Sequence, residues 1–196
     1  MPHNPKLLFF AGSAREGSYN KRLAQLAAHI ADANGLAATF ADLGDYPMPI
    51  YDGDSEVRDG VPENARKLKA LILVHDGVFI AAPEYNASIT PLLKNTLDWV
   101  SRVREEGEPT LQVFKTRVFA IGSASPGRFG GVRGLITLRQ VLAVGLQALV
   151  LPDQVSIPNA ERAFDEKGHL KDKAQQDHLK TVVSKLARAA KVLNGQ

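Results

Sequence analysis

The chain has 196 residues, 44% of them hydrophobic and 23% charged, the balance of a soluble globular protein with a core that needs no covalent staples, and it reads as one domain over residues 1–196. It contains no cysteine, which excludes a disulfide framework, a thiolate zinc site, an iron–sulfur cluster and a catalytic thiol, so any redox chemistry must come from a bound cofactor. The net charge is only +3 with no basic block, no apolar run approaches the roughly 18 residues of a membrane span, and Met1 to Lys6 is not a secretory leader; the expectation is a cytoplasmic protein with neither a nucleic-acid nor a membrane partner.

Lys6 to Ala11 is a short apolar run ending at Gly12, and after polar Ser13 to Asn20 the apolar residues Leu23, Leu26, Ala27 and Ile30 fall at helical spacing. This predicts strand, loop and amphipathic helix. Asn34-Gly35 supplies a left-handed stop, and Leu36 to Leu43 reads as a second strand. Gly44 to Gly60, rich in Pro, Gly and Asp, predicts a long surface loop before a helix opened by Pro62. Gly77 to Ala82 is continuously apolar, as a strand buried on both faces must be. Thr90-Pro91 pairs a capping hydroxyl with proline at the first helical position, and Leu92, Leu93, Leu97 and Val100 mark the buried face that follows. Arg117 to Gly122 and Leu146 to Leu151 predict two more strands around a helix from Gly131 to Val144. Asp172 with Gln175 caps a last helix striped by Leu179, Val182, Val183, Leu186 and Leu193. Five strands alternating with five helices imply a doubly wound α/β fold with a parallel sheet covered on both faces. Ligands in such folds sit outside the carboxyl ends of the strands, which directs attention to the loops Gly12 to Asn20, Pro83 to Thr90 and Ser123 to Gly130.

The first loop reads Gly12-Ser13-Ala14-Arg15-Glu16-Gly17-Ser18-Tyr19-Asn20. It runs into a helix N-terminus, where open amides and the helix dipole favour an anion; Ser13, Ser18 and Asn20 add neutral donors and Arg15 adds charge. A phosphate monoester suits this set. The plainer alternative is that Ser18 only caps the helix and Arg15 is solvated. Gly12 and Gly17 have P-loop spacing, but Ser18 stands where the P-loop lysine belongs, and no G-x-G-x-x-G follows the strand, so neither a nucleoside triphosphate nor a dinucleotide site is indicated.

The second loop, Pro83-Glu84-Tyr85-Asn86-Ala87-Ser88, follows the most buried strand. Tyr85 can lie beside a planar ligand, Asn86 can donate and accept, and backbone N–H groups can face ring heteroatoms. A flavin suits such donors because reduction leaves negative charge near N1 and O2 of its ring. An ordinary polar turn with Tyr85 at the surface is the alternative.

The two loops together, with Leu93-Lys94-Asn95-Thr96-Leu97-Asp98-Trp99 downstream, resemble the NADPH-dependent FMN reductase family, which includes chromate, quinone and azo-dye reductases. The resemblance implies a flavodoxin-like five-stranded sheet of order 2-1-3-4-5, with FMN bound and NADPH or NADH as hydride donor. It would place the phosphate on Ser13, Arg15, Ser18 and Asn20, and the ring against Pro83, Glu84, Tyr85 and Asn86. The third loop, Ser123-Ala124-Ser125-Pro126-Gly127, matches less closely, with Ser125 and Gly127 as its flavin contacts. A small-molecule electron acceptor and a homodimer or homotetramer follow from the same resemblance. The part of the Thr90 to Arg102 helix around Trp99 would pack across the dimer interface, although periodicity alone makes Trp99 ordinary core.

Other chemistries find less support. Ser125 lacks the G-x-S-x-G of a nucleophile elbow because Ser123 stands at the first glycine position. His3, His29, His75, His169 and His178 lack metal-ligand spacing, so no metal is expected. The basic outer face of the last helix reads as solvated surface. A flavodoxin-like electron carrier without substrate turnover is the main rival reading, disfavoured by the +3 charge where carriers are commonly acidic. A flavin-free phosphate-binding module would leave the second loop unexplained.

Overall fold

The computed structural model describes residues 4–194, so His3 lies outside the described residues. A five-stranded parallel sheet is built from β1 (Lys6–Ala11), β2 (Ala37–Ala41), β3 (Gly77–Ala81), β6 (Val118–Ala124) and β7 (Leu149–Ile157), in the order β2-β1-β3-β6-β7. Taken as the five strands of the main sheet, this is the expected 2-1-3-4-5 order. The side chains of β1 alternate as a pleat requires. Leu7, Phe9 and Ala11 face one layer, with α1 (Tyr19–Ala33) and α8 (Lys173–Asn194); Leu8 and Phe10 face the other, with α3 (Glu63–Leu73), α4 (Pro91–Arg102) and α6 (Val132–Gln140). All five residues of β3 are buried, which is why that segment shows no polar alternation.

Helix ends follow the local chemistry. Ser18 and Thr90 cap α1 and α4 through their side chains, Gly35 at φ +75° takes the left-handed position after α1, and Asp172 Oδ1 accepts the Gln175 amide at 3.1 Å. Several elements depart from expectation. The Gly44 to Gly60 segment is not a plain loop: it holds a 3-10 turn at Leu43–Asp45 and helix α2 (Gly53–Asp59), because Asp42 and Asp52 each cap the turn that follows and Glu56 anchors α2 to Arg102 on α4. The second strand accordingly stops at Ala41. The last strand starts later and runs to Ile157, since Pro152, which cannot donate to a ladder, is absorbed in a register shift between Val150 and Gln154. Arg139 covers the carbonyls freed there, donating to Leu151 O at 2.7 Å and Pro152 O at 3.3 Å. Helix α6 ends at Gln140 and passes into a π turn at Val141–Gly145, and Leu193 lies 40% exposed, outside the buried stripe.

Short elements α5 (Gln112–Lys115) and α7 (Ala160–Ala163) and a hairpin of β4 (Glu84–Tyr85) with β5 (Ser88–Ile89) complete the structure. Trp99 is fully buried within the chain, its Nε1 donating to Pro49 O at 2.7 Å and its ring meeting Tyr51 edge-on at 5.0 Å. The strand order reverses between β1 and β3, and the three loops leave the sheet together at the carboxyl ends of the strands, where folds of this class hold their ligands.

Candidate functional site

Hydrogen bonds draw the first loop onto its neighbours. Gly12 donates to Ala81 O at 2.9 Å and accepts from Thr90 Oγ1 at 2.7 Å. A Cβ on Gly12 would stand 2.9 Å from Leu93 Cβ, so only glycine lets α4 seat so closely on the end of β1. Ser13 Oγ accepts from the Arg15 amide at 3.3 Å and Ser18 Oγ from the Lys21 amide at 3.4 Å. Both hydroxyl hydrogens remain available to an acceptor. As the first residues of α1, Tyr19 and Asn20 have amides without intrahelical acceptors. Arg15 is exposed and has no ion-pair partner among the described residues. Two hydroxyls, two helix-end amides and a guanidinium form a donor set suited to a phosphate dianion.

Asn20 does more than face this loop. Its side chain is buried and spans to the third loop, donating to Ala124 O at 2.8 Å and accepting from Ala124 N at 3.0 Å. This reciprocal pair fixes the end of β6 to α1. Replacing Asn20 with leucine leaves both Ala124 groups unpaired in a buried place, which is expected to cost about 1–3 kcal/mol. Urea denaturation measures it, and a loss below about 0.5 kcal/mol, the range of inconsequential surface changes, would remove Asn20 from the framework of the site.

Lys21 escaped the sequence reading. Its buried Nζ donates to Ala14 O at 3.2 Å and to Asp42 Oδ2 at 2.5 Å, clamping the loop backbone to the end of β2. Nothing in the local pattern signals this, because its partner lies beyond a helix and a strand.

The second loop is a tight hairpin. Tyr85 pairs with Ser88 across Asn86 at φ +50° and Ala87 at φ +63°, the left-handed pair of a type I′ turn. Ala87 holds that conformation at a strain of about 1–3 kcal/mol. Tyr85 is 48% exposed and Asn86 is exposed, while Pro83 is half-buried. The carboxylate of Glu84 is only 7% exposed and is committed to the start of α6: it pairs with Arg133 and accepts from the Gly134 amide at 3.1 Å. Burial pushes the Glu84 carboxyl up, but the Gly134 amide and the Arg133 guanidinium outweigh it and hold the group below the ordinary glutamate value.

In the third loop Ser123 and Ala124 still belong to β6. Ser125 binds Ile157 O through its amide at 3.0 Å and accepts from Ala160 N at 3.0 Å, and its Oγ accepts from the exposed Gly127 amide at 3.3 Å. The chain then turns through Gly130 and Gly131, both at positive φ. A Cβ on Gly131 would stand 1.9 Å from Ser123 Oγ, so this turn needs glycine. Ser123 Oγ is the one buried side-chain polar atom among the described residues without a hydrogen-bond partner. Beyond it, Phe129 is 50% exposed, with the guanidinium carbons of Arg128 and Arg133 at 4.7 and 5.5 Å from its ring centroid.

The histidines take other places. His75 is buried between Leu71 O and Thr39 Oγ1, His178 bonds to Gln154 O, and His29 and His169 lie against each other on the outer side of α1 with ring centroids 6.3 Å apart.

Fold and site together define a flavodoxin-like α/β protein whose first loop offers a set of anion donors and whose third main strand leads into a tight hairpin bearing Tyr85. The family model of the NADPH-dependent FMN reductases matches residues 5–162, and the chain belongs to that family, which makes it an FMN- and NAD(P)H-dependent oxidoreductase. Among its relatives, an NAD(P)H-dependent FMN reductase of Pseudomonas aeruginosa is 33% identical over the whole of both chains. A quinone reductase of Escherichia coli is 32% identical, covering 91% of this chain and 92% of that one, and a 2-hydroxy-1,4-benzoquinone reductase of a Burkholderia species is 32% identical over 93% and 94%. Among solved structures, the flavoenzyme NAD(P)H:(acceptor) oxidoreductase FerB from Paracoccus denitrificans superposes with a TM-score of 0.78 at 24% identity, covering 96% of this chain and 98% of that one.

Proposed function

We propose that the chain binds FMN across these loops and passes two electrons from NADPH or NADH to a small acceptor, a planar quinone foremost; azo compounds, free flavin and metal oxyanions such as chromate are further acceptors of this reading. The observation that carries this is the convergence at one end of the sheet of a loop rich in anion donors (12–20), a tight hairpin (84–89) tied to it through Thr90–Gly12, and the third loop tied to it through Asn20–Ala124. FMN, when bound, supplies the hydride and electron chemistry. Ser13, Arg15 and Ser18, with the Tyr19 and Asn20 amides, hold the phosphate, and Asn20 keeps the third loop in register. Pro83, Tyr85, Asn86 and the backbone of Glu84 line the ring, and Ser125 and Gly127 border it. No side chain is needed as an obligatory acid or base; the work of the protein is to orient the ring, leave one face open and place donors where negative charge develops. The quinone-reducing relatives support the choice of acceptor.

A homodimer or homotetramer is part of this reading, supported by Ile50 and Val57, 87% and 89% exposed, on the segment that packs beside α4. Among the described residues no helix is long and apolar enough to cross a membrane, and we place the reaction in the cytoplasm, where reduced nicotinamide nucleotides are held. The purified protein is expected to be yellow, to release FMN rather than FAD on denaturation, and to lose its colour anaerobically with NADPH or NADH and regain it with benzoquinone. A colourless protein that cannot be reconstituted with FMN would overturn the reading. FMN binding without bleaching by either nucleotide would leave a carrier in place of an enzyme.

A further inference from the structure

We propose that Arg133 and the Gly134 amide, through Glu84, are positioning groups for the flavin ring: they latch the β4–β5 hairpin to the N-terminus of α6 and so fix where Tyr85 and Asn86 stand. The inference rests on the FMN reading above and adds residues that no flavin motif of the sequence includes.

Three observations carry it. First, the Glu84 side chain is nearly buried and its carboxylate already has two partners on α6, so it serves as an anchor. A carboxylate at a helix N-terminus meets the open amides and positive end of the dipole; Gly131, the N-cap of α6, has no side chain to do so. Second, the anchorage demands close approach. A Cβ on Gly134 would meet Glu84 Cβ and Ser88 O at 3.2 Å each, so the absence of a side chain there lets both hairpin strands rest on α6. Third, the tip of the same hairpin holds a non-glycine residue, Ala87, at φ +63°. A strained two-residue turn persists only where its surroundings over-determine it, and a two-stranded ribbon of two residues per strand has too little pairing of its own to do so. The latch at its base supplies the constraint. Arg133 also lies over the exposed Phe129 ring, so one guanidinium ties the hairpin to the third loop as well.

The test separates ring from phosphate by comparing FMN with riboflavin, which has the same ring and no phosphate. Arg133 is 57% exposed at its side chain, so Arg133→Met is compatible with folding. It is expected to weaken FMN and riboflavin by the same factor, about three- to tenfold, and to raise amide hydrogen exchange at residues 85–88 of the apoprotein while leaving the thermal midpoint near that of the wild type. Arg133→Lys should recover part of the loss. Glu84→Gln should weaken both ligands in the same way, and adding Arg133→Met to it should cost little more, since both variants break one contact. If Glu84→Gln weakens riboflavin binding while hairpin exchange stays at the wild-type level in both variants, Glu84 touches the flavin directly and the latch is overturned. If neither variant changes riboflavin binding, the hairpin is held by other contacts and the proposal fails. Wild-type protein that binds neither ligand refutes the FMN reading itself, a result distinct from both.

Discussion

Replacing Glu108 with alanine is expected to destabilise the protein by about 3–5 kcal/mol, the cost of leaving a buried charge without its partner. The Lys69 side chain is 5% exposed and that of Glu108 11%. Lys69 Nζ donates to Glu108 and to Val103 O at 3.1 Å, and Glu108 also accepts the Glu105 amide at 3.0 Å. Together these contacts pin the segment after α4 to α3, and α4 is the helix whose other end rests on Gly12. With the carboxylate gone, the ammonium of the buried Lys69 keeps one partner, the Val103 carbonyl. The double replacement Lys69→Met with Glu108→Leu should recover most of the loss, because two apolar side chains remove the desolvation cost along with the attraction. Acid should act in the same direction as the single variant. Burial raises the Glu108 carboxyl, but Lys69 and the Glu105 amide outweigh it and hold it below the ordinary glutamate value. A group depressed in the folded state contributes its full stability above the unfolded value and loses it as the pH falls through the folded one. Denaturant melts of wild type and Glu108→Ala should therefore converge on acidification. A constant gap between them from neutral to acid pH would show that the pair contributes nothing through its charge.

Much of the framework was legible because it depends on patterns of short range. β3 declares itself by an unbroken apolar run, the starts of α1 and α4 by a hydroxyl before a helical stripe, and the first two site loops by lying between such elements. What could not be read is pairing across long stretches of chain. Glu84 stood in the second loop as a ring contact, yet its side chain is bonded to residues about fifty positions away. The place of Asn20 in the first loop points to the phosphate, whereas its side-chain carboxamide spans to Ala124. Lys21 and Lys69 carry no local sign of their burial, since the carboxylates they pair with, Asp42 and Glu108, lie 21 and 39 positions away. The Gly44 to Gly60 segment departs from its pattern for a different reason. Composition marks its Asp52 as a loop residue and the apolar pattern puts Asp42 in the preceding strand, whereas both cap short helical turns.

Arg15→Ala should weaken FMN by about 10- to 150-fold, the equivalent of one charged phosphate contact of about 1.5–3 kcal/mol, without loss of folded structure, since the residue is exposed and outside the hydrogen-bond framework of the loop except through its amide. The position of the loss matters as much as its size. A group that touches only the phosphate binds oxidised and reduced flavin alike, so it changes affinity without moving the midpoint potential, just as uniform binding leaves a reaction barrier unchanged. Asn86, on the hairpin, should behave in the opposite way. It sits at φ +50°, so glycine rather than alanine deletes its side chain while keeping the turn. If that side chain supports the negative charge of the reduced ring, Asn86→Gly loses about 1 kcal/mol more from the reduced than from the oxidised complex. For a two-electron couple 30 mV corresponds to about 1.4 kcal/mol, which makes the expected fall in potential about 20 mV. Redox titration of the two variants, each saturated with FMN, measures the difference. A larger shift from Arg15→Ala than from Asn86→Gly would mean that the loop before α1 holds the ring and the hairpin the phosphate, reversing the orientation of FMN in the crevice.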